Sequence, residues 1–224
     1  MSNATAKPTI AIIGGTGLLG SGLARRLAGA GYPVVLGSRS ADKAQDAARS
    51  LAAPAGVAAP RGATNAEAAA IGEIVIVTVP WQTQGAILEE IASSVAGKLV
   101  VDTTVPLVPP KVARVQLPPE TSAALAAQKR LGPSVRVVAA FHNVAAHKLQ
   151  KDVGVECDVL VFGDEPKDRE VVIALADAMG LRGIHAGPLA NSVAAEALTS
   201  VLIGINRAYK ADGAGIRITG IAGS

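Results

Sequence analysis

The chain has 224 residues, half of them hydrophobic but only 2% aromatic, with 21 basic against 18 acidic residues and a formal net charge of +3. That is enough chain for one large domain or one and a half, with a core built of Ala, Val, Leu and Ile. No basic run is long enough to suggest nucleic acid, the single Cys157 excludes an intrachain disulfide and a cysteine-cluster metal site, and three histidines argue against a His-rich metal centre.

Met1 to Lys7 is small and polar, without a hydrophobic signal core, and no apolar run reaches membrane-spanning length. A reducing cytoplasm is the expected compartment. Thr9 to Ile13 then reads as a strand that runs straight into a glycine-rich turn. Gly15, Gly17 and Gly20 match G-x-G-x-x-G, the dinucleotide-binding fingerprint, and a helix-like pattern opens at about Leu18. Gly15 is expected to make the tight turn, Gly17 to let a pyrophosphate approach the backbone, and Gly20 to let the helix pack close to the strand. The helix start offers unpaired N–H groups and a partial positive charge to phosphates.

The first helix, about Leu18 to Ala30, stops at Gly31-Tyr32-Pro33. Val34 to Gly37 reads as the second strand, and Ser40 is placed to cap a helix over Ala41 to Ala53. Pro54 to Gly62 is a breaker-rich loop with room for a short third strand near Val57. Thr64 to Ala70 is a short Ala-rich helix. Ile74 to Val79 is an unbroken β-branched run, as a parallel strand buried on both faces requires. Pro80-Trp81 ends it and starts a helix to about Val95. Leu99 to Asp102 is the next strand; Thr103 to Pro119, with five prolines, is irregular. Glu120 to Arg130 reads as a helix and Val135 to Ala140 as a strand.

Beyond that point the alternation loosens. Val159 to Phe162 is a strand, Pro166 to Met179 a helix, Arg182 to His185 a short strand and Ala190 to Lys210 a long apolar helix. The glycine-rich tail from Ala211 to Ser224 reads as partly mobile. The β-α-β-α order with short links predicts an α/β fold, a Rossmann-type doubly wound parallel sheet with a smaller C-terminal lobe. Residues 1–140 are expected to form the dinucleotide-binding domain, and 141–224 the lobe for substrate or dimer contacts.

Gly37-Ser38-Arg39 ends the second strand. An NAD binder usually carries Asp or Glu there to hold the ribose 2′-hydroxyl. Ser38 and Arg39 instead suit a 2′-phosphate, offering a hydroxyl donor and a planar guanidinium, and Lys43 one turn into the next helix adds charge. Hydrogen bonds to charged groups contribute about 1.5–3 kcal/mol each, so two of them favour NADP over NAD by roughly a hundredfold. Thr78-Val79-Pro80-Trp81 lies at the C-terminal end of a central strand, where open α/β sheets bind ligands. Trp81 reads either as a core residue at a helix start or as a wall beside the nicotinamide. Thr103 to Pro106 and Ala140 to Ala146 occupy the same edge. His142 is either structural or part of the site, and Asn191 or Ser192 either caps the long helix or joins the site.

Other chemistry is missing. The glycine loop lacks the Gly-Lys-Ser/Thr ending of a P-loop, neither Tyr32 nor Tyr209 begins a Tyr-x-x-x-Lys pair, and no Cys–His nucleophile can be assembled. No catalytic side chain and no metal ligand is assigned.

Taken together, several stretches resemble the NADPH-dependent reductases of coenzyme F-420, the 8-hydroxy-5-deazaflavin. They are Ile12 to Ala24, Gly37-Ser38-Arg39 with Lys43, Val79-Pro80-Trp81, Phe141-His142, Val161 to Asp164, Ala186 to Ser192 and Gly215-Ile216, in order over nearly the whole chain. The resemblance implies that Thr16, Gly17, Leu18 and Leu19 hold the pyrophosphate and that Ser38, Arg39 and Lys43 hold the 2′-phosphate. It places Val79 and Thr83 near the nicotinamide half, Val105 and Ala146 along the same groove, and Ala214 over it from the tail. It also implies a homodimer whose partners are small-molecule coenzymes, NADP and the deazaflavin, with no nucleic acid and no membrane. Thr83 stands where a His is common in the family, and Ala145 where a Pro is.

The expected activity is direct hydride transfer between C4 of the nicotinamide and C5 of the deazaflavin. Cofactors carry such chemistry and the protein supplies position and electrostatics. Two other readings fit the same scaffold: an NADP-linked reductase of another small acceptor, such as a flavin or a metal chelate, and a non-catalytic NADP-sensing module. Small residues at Thr104, Ala145 and Ala146 leave room for a second ring, which favours an enzyme.

Overall fold

The computed structural model describes residues 6–221. Most of the leading polar segment read above, and the last three residues of the tail, lie outside the described residues. Alternating strands and helices fill the first part of the chain: β1 (Ile10–Ile13), α1 (Leu18–Gly29), β2 (Val34–Ser38), α2 (Ala41–Arg49), β3 (Arg61–Thr64), α3 (Asn65–Ile71), β4 (Ile74–Val77), α4 (Trp81–Ile91), β5 (Leu99–Asp102), α5 (Ala123–Leu131) and β6 (Arg136–Ala139). The six strands form one parallel sheet in the order β3-β2-β1-β4-β5-β6. This is the doubly wound order, with its reversal between β1 and β4.

The sequence builds this sheet by period-two packing. Ile10 and Ile12 of β1 face an apolar cluster with Leu23 and Leu27 of α1. Ala11 and Ile13 point the other way, into a second cluster with Ala68 and Ala69 of α3 and Leu88 and Ile91 of α4. Both faces are therefore covered, and every residue of β1, β4 and β5 is buried. Full burial of a Leu or Ile side chain stabilises by about 1.5–3 kcal/mol, so the unbroken Ile74-Val-Ile-Val77 run pins the middle of the sheet.

The rest of the chain adds α6 (Ala146–Leu149), β7 (Asp158–Val161), α7 (Pro166–Ala178), β8 (Arg182–His185) and α8 (Ser192–Tyr209). β7 and β8 pair in parallel around α7. Phe162, just past β7, joins the main sheet by an antiparallel bridge to Ala139, with N–H···O distances of 2.8 and 2.9 Å. Val159, Val161 and Leu175 share one apolar cluster with Ile10 and Ile12. Arg26 of α1 clamps the segment before β7, donating to the carbonyls of Lys151 and Val153 at 2.7 Å each.

Several elements differ from the sequence reading. The third strand is Arg61–Thr64 rather than a piece near Val57. It is an edge strand, and Gly62 lacks a side chain just where the α2 backbone at Ala44 crosses it. α5 starts at Ala123 because Ser122 caps it, and Thr121 before the cap is left-handed at φ 71°. The tail is held rather than loose as far as Ile218. Its N–H donates to the buried Asp158 carboxylate at 2.6 Å, and Arg182 bridges Asp158 and the Ile218 carbonyl. The Arg182 guanidinium holds the Asp158 carboxyl below its ordinary range. Leu189–Tyr209, a short turn plus α8, is long and apolar enough to cross a membrane by length and composition, with a mean hydropathy of 1.3. The sequence reading missed it because Ser192, Glu196 and Ser200 interrupt the run, and these three are buried against the rest of the fold.

Gly20 and Gly29, both in α1, separate packing from helix propensity. A Cβ on Gly20 would stand 2.6 Å from the Thr78 hydroxyl and 2.8 Å from the Gly14 carbonyl, whereas one on Gly29 meets nothing within 4 Å. Gly29→Ala is expected to stabilise by about 0.5–1 kcal/mol, while Gly20→Ala destabilises by about 1–3 kcal/mol in denaturant unfolding because overpacking outweighs propensity. Equal gains in both variants would show that α1 does not approach β4 this closely.

Candidate cofactor site

The glycine turn is built by three strand ends. Gly14, not Gly15, carries the left-handed conformation at φ 76°. Its N–H is held by the Asn65 side chain at 3.4 Å, and the Gly15 N–H donates to the Gly37 carbonyl at 2.9 Å. Gly15 is required for closeness instead: a Cβ there would stand 2.8 Å from the Ile12 carbonyl. From β4, Thr78 donates its hydroxyl to the Ile13 carbonyl at 2.8 Å. No side chain caps α1 at Gly17. By contrast, Ser40 caps α2, and a Thr64–Glu67 capping box closes α3. The first-turn N–H groups of α1 thus point, without a side-chain acceptor, toward the crevice beside them.

That crevice is a cleft of about 580 Å³ at the point where the strand order reverses. Gly14, Thr16 and Gly17 line it from β1, Ser38, Arg39 and Lys43 from β2, and Thr78, Val79 and Thr83 from β4. Ser38 is nearly buried, whereas Arg39 and Lys43 are exposed. Among the described residues neither cation has an ion-pair partner, so both charges are available to an anion. Thr83 donates its hydroxyl back to the Pro80 carbonyl at 3.0 Å.

A second cavity, of about 340 Å³, lies beyond β6. It is lined by the His142–Ala145 turn, by Thr199, Leu202, Ile203 and Asn206 of α8, and by Ala211 to Ala214 of the tail. The turn starts from Phe141, which is left-handed at φ 67°, a conformation that costs a non-glycine residue about 1–3 kcal/mol unless its surroundings hold it. α8 does hold it. Thr199 donates to the His142 carbonyl at 3.0 Å, and the Asn143 amide donates to the Ala195 carbonyl at 2.9 Å. The Ala214 N–H donates to Asn206 at 2.7 Å, and His147 pairs with Asp212 at 2.8 Å. The His142 ring is buried and neither ring nitrogen has a partner among the described residues. Burial lowers its pKa to about 4, so the imidazole is neutral near pH 7.

Over residues 9–106 the chain matches the family described as NADP oxidoreductase, coenzyme F420-dependent. It is 39% identical over 222 residues to the F420-dependent NADP reductase of Methanocaldococcus jannaschii, covering 95% of this chain and 98% of that one. The chain belongs to the F420-dependent NADP reductase family. It is also 40% identical over 220 residues to the reductase of the same description from Methanothermobacter marburgensis, again covering 95% and 98%. A crystal structure described as a putative F420-dependent NADP reductase from an Arthrobacter species aligns at a TM-score of 0.78 and 25% identity, over 94% of this chain and 98% of the other.

Within this reductase fold, the residues singled out in the sequence fall into two groups. Thr16, Gly17, Ser38, Arg39, Lys43, Val79 and Thr83 line the first cleft together. Leu18 and Leu19 form the first turn of α1, with the Leu18 side chain exposed and Leu19 packed on the core. Ala214 lines the second cavity, whereas Val105 and Ala146 line neither. Trp81 is neither a core residue nor a wall of the first cleft. It lines a separate cavity of about 620 Å³ between α4 and α5, with Gln82, Lys129 and Arg130. Ser192 does not cap α8; its hydroxyl oxygen lies 3.0 Å from that of Ser122, the cap of α5.

Three features escaped the sequence reading. Asn65 braces Gly14; the Thr64-x-x-Glu67 capping box was the available signal for a fixed helix start there. Asp102, at the end of β5, is fully buried and accepts from Gln84 at 2.6 Å and from the Thr104 N–H at 3.1 Å. Glu196 of α8 is equally buried and accepts from the Ala123 and Ala124 N–H groups at 2.7 and 3.2 Å, completing the start of α5. Burial pushes Asp102 up to about 6, and burial reinforced by the Asp102 charge pushes Glu196 up to about 7.

A carboxyl raised by folding stabilises the fold while it stays protonated, and that contribution is lost as pH climbs through its folded value. The window here runs from about pH 4, where these groups begin to ionise in the unfolded chain, to about pH 7. The melting temperature is expected to fall between about pH 4.5 and pH 7 and to level off above that, and Glu196→Gln is expected to flatten that fall. A slope left unchanged by Glu196→Gln would show that this carboxyl ionises as freely in the fold as in the unfolded chain.

Proposed function

We propose that this chain is an NADPH:coenzyme F-420 oxidoreductase, moving a hydride between NADP(H) and the deazaflavin. The observation that carries the reading is the first cleft: a glycine turn with an uncapped helix start beside Ser38, Arg39 and Lys43, in a chain near 40% identical over 95% of its length to F420-dependent NADP reductases.

The residues present fit NADP. The backbone N–H groups of Thr16, Leu18 and Leu19 face a pyrophosphate without competition from a capping side chain; the Gly17 N–H is spent on the Gly14 carbonyl at 2.9 Å, and the missing Gly17 side chain leaves the approach open. Ser38, Arg39 and Lys43 supply to the 2′-phosphate a hydroxyl and two cations that have no ion-pair partner among the described residues, and no carboxylate is among the residues lining the cleft. Val79 and Thr83 border the nicotinamide end of the first cleft, and Ala214 borders the second cavity from the tail. The bound coenzymes supply the redox chemistry, a hydride passing between nicotinamide C4 and deazaflavin C5. The chain's own residues bind and orient the rings and exclude water. No side chain accepts a proton from the donor carbon, because the hydrogen leaves with both electrons. Holding two reactants in a near-attack pose supplies about 7–11 kcal/mol of barrier lowering. His142 is buried and neutral, neither ring nitrogen has a partner among the described residues, and the residue borders the second cavity.

Residues 1–140 then act as the dinucleotide domain and 141–224 as the lobe that completes the substrate site and joins two copies. The exposed Val201, Ile205 and Tyr209 on one side of α8 support a homodimer through that helix. A cytoplasmic enzyme working on soluble coenzymes accords with this reading.

The deciding assay mixes the pure protein with NADPH and the oxidised deazaflavin and follows loss of deazaflavin absorbance. Turnover is expected. Turnover only with another acceptor, such as a flavin or a metal chelate, would replace the reading with a different reductase, and tight NADP binding without any turnover would favour a sensor. In a separate measurement, Arg39→Ala is expected to weaken NADPH binding roughly 10- to 100-fold and NADH binding by less than about threefold. Equal losses would show that Arg39 does not read the phosphate.

A further inference from the structure

Two buried carboxylates lie outside the coenzyme clefts, yet each is wired to one of them. Glu196 accepts from the first two N–H groups of α5 and from the Ser192 hydroxyl at 3.2 Å. With its proton on Glu196, the Ser192 oxygen meets the Ser122 hydroxyl at 3.0 Å, and the Ser122 oxygen also accepts from the Leu125 N–H. On the far side of Ala123, its carbonyl accepts from Gln84 at 3.3 Å, and the same Gln84 amide donates to Asp102. Asp102 holds the Thr104 N–H, and Thr104 donates its hydroxyl to the Val79 carbonyl at 3.4 Å. One polar chain therefore runs from α8 through the start of α5 and α4 to Val79, on the wall of the first cleft.

The other end of this chain is α8. Glu196 lies one residue from Ala195 and one turn from Thr199, the two positions that hold the strained Phe141–Asn143 turn. The same helix continues as the wall of the second cavity through Leu202, Ile203 and Asn206. We propose that Glu196 and Asp102, bridged by Ser122, Ala123 and Gln84, form a positioning pair that sets the α8 wall of the second cavity against the Val79 edge of the first. This rests on the reading of the protein as a two-coenzyme hydride transferase, in which the distance between two bound rings controls the rate.

The chemistry of the pair favours this use over simple packing. Each carboxylate is fully surrounded, so its hydrogen bonds have no water to replace them, and losing one leaves an orphaned donor. A glutamine at position 196 keeps the shape but turns an NH₂ toward one of the two α5 N–H groups. The expected consequence is a small shift of α8, with the glycine turn and the phosphate-binding residues untouched. The groups facing Glu196 are Asp102 from β5 and the N-terminus of α5; among the described residues no basic side chain pairs with either carboxylate.

The test compares wild type, Glu196→Gln and Ser192→Ala, the last a milder change that removes only the hydroxyl linking Glu196 to Ser122. NADPH affinity is read by fluorescence titration, and hydride transfer by single-turnover kinetics with ordinary and C4-deuterated NADPH. Both variants are expected to bind NADPH within about twofold of wild type, while the transfer rate falls about tenfold or more in Glu196→Gln and by less in Ser192→Ala, with an enlarged isotope effect. Wild-type transfer rates and isotope effects in a folded Glu196→Gln protein, or in Ser192→Ala should the former fail to fold, would overturn the proposal. So would loss of NADPH binding in step with loss of rate, which marks general damage. Failure of the wild type to reduce the deazaflavin would instead count against the proposed activity, and the same comparison would then be run on whichever acceptor it does reduce.

Discussion

Three backbones meet where β1 ends. The exit of β1 at Gly14, the first turn of α1 at Gly20 and the end of β4 at Thr78 approach so closely that a methyl group on Gly20 would overlap two of them. The Thr78 hydroxyl and N–H both donate to the Ile13 carbonyl, locking β4 to the strand end from which the turn departs. Everything functional in the first cleft depends on that crowding. It brings the uncapped start of α1 over the switch point, and it sets Val79 beside the glycine turn. The cost is borne by residue choice, since only glycine and a short hydroxyl fit the space.

Charge is handled in opposite ways on the two sides of the molecule. In the first cleft the cations are exposed and have no ion-pair partner among the described residues, so their field reaches into the cleft and weakens with salt. Under α8 the carboxylates are buried and saturated with donors, so they act as fixed struts whose protonation changes with pH. Asp158 is a third case. It is buried but paired with Arg182, and it ties the tail to β8 with its charge retained. Capture, strut and tether follow from one chemical group's surroundings rather than from its identity.

The sheet and its coenzyme were legible in the sequence because their signals are local. Ile74 to Val77 can only be a doubly buried strand, and Gly37-Ser38-Arg39 departs from the acidic ending that NAD requires. What stayed hidden was long-range. The α5 boundary depends on Ser122 and on Glu196, which lies over 70 residues further along. Asp102 looked like the polar end of a strand because nothing nearby announces Gln84 as its partner. Trp81 read as either a core residue or a cleft wall, whereas it borders a separate cavity between α4 and α5, a packing set by α5 about 40 residues further along. Gly62 was passed over as a breaker when the packing of α2 demanded it.

The antiparallel bridge between Ala139 and Phe162 has a consequence for assembly. β6 is the last strand of the main sheet, and a bare last strand offers a row of open amides to any neighbouring chain. Here the segment leaving β7 folds back onto it and occupies its N–H and carbonyl at Ala139. The opposite edge, β3, is only four residues long and begins with the exposed Arg61. One margin is thus shielded by the chain itself and the other is short and charged, which discourages growth of the sheet from molecule to molecule. Any contact between copies is thereby pushed away from the sheet edges and onto helix side chains, a mode that gives no template for a fibre.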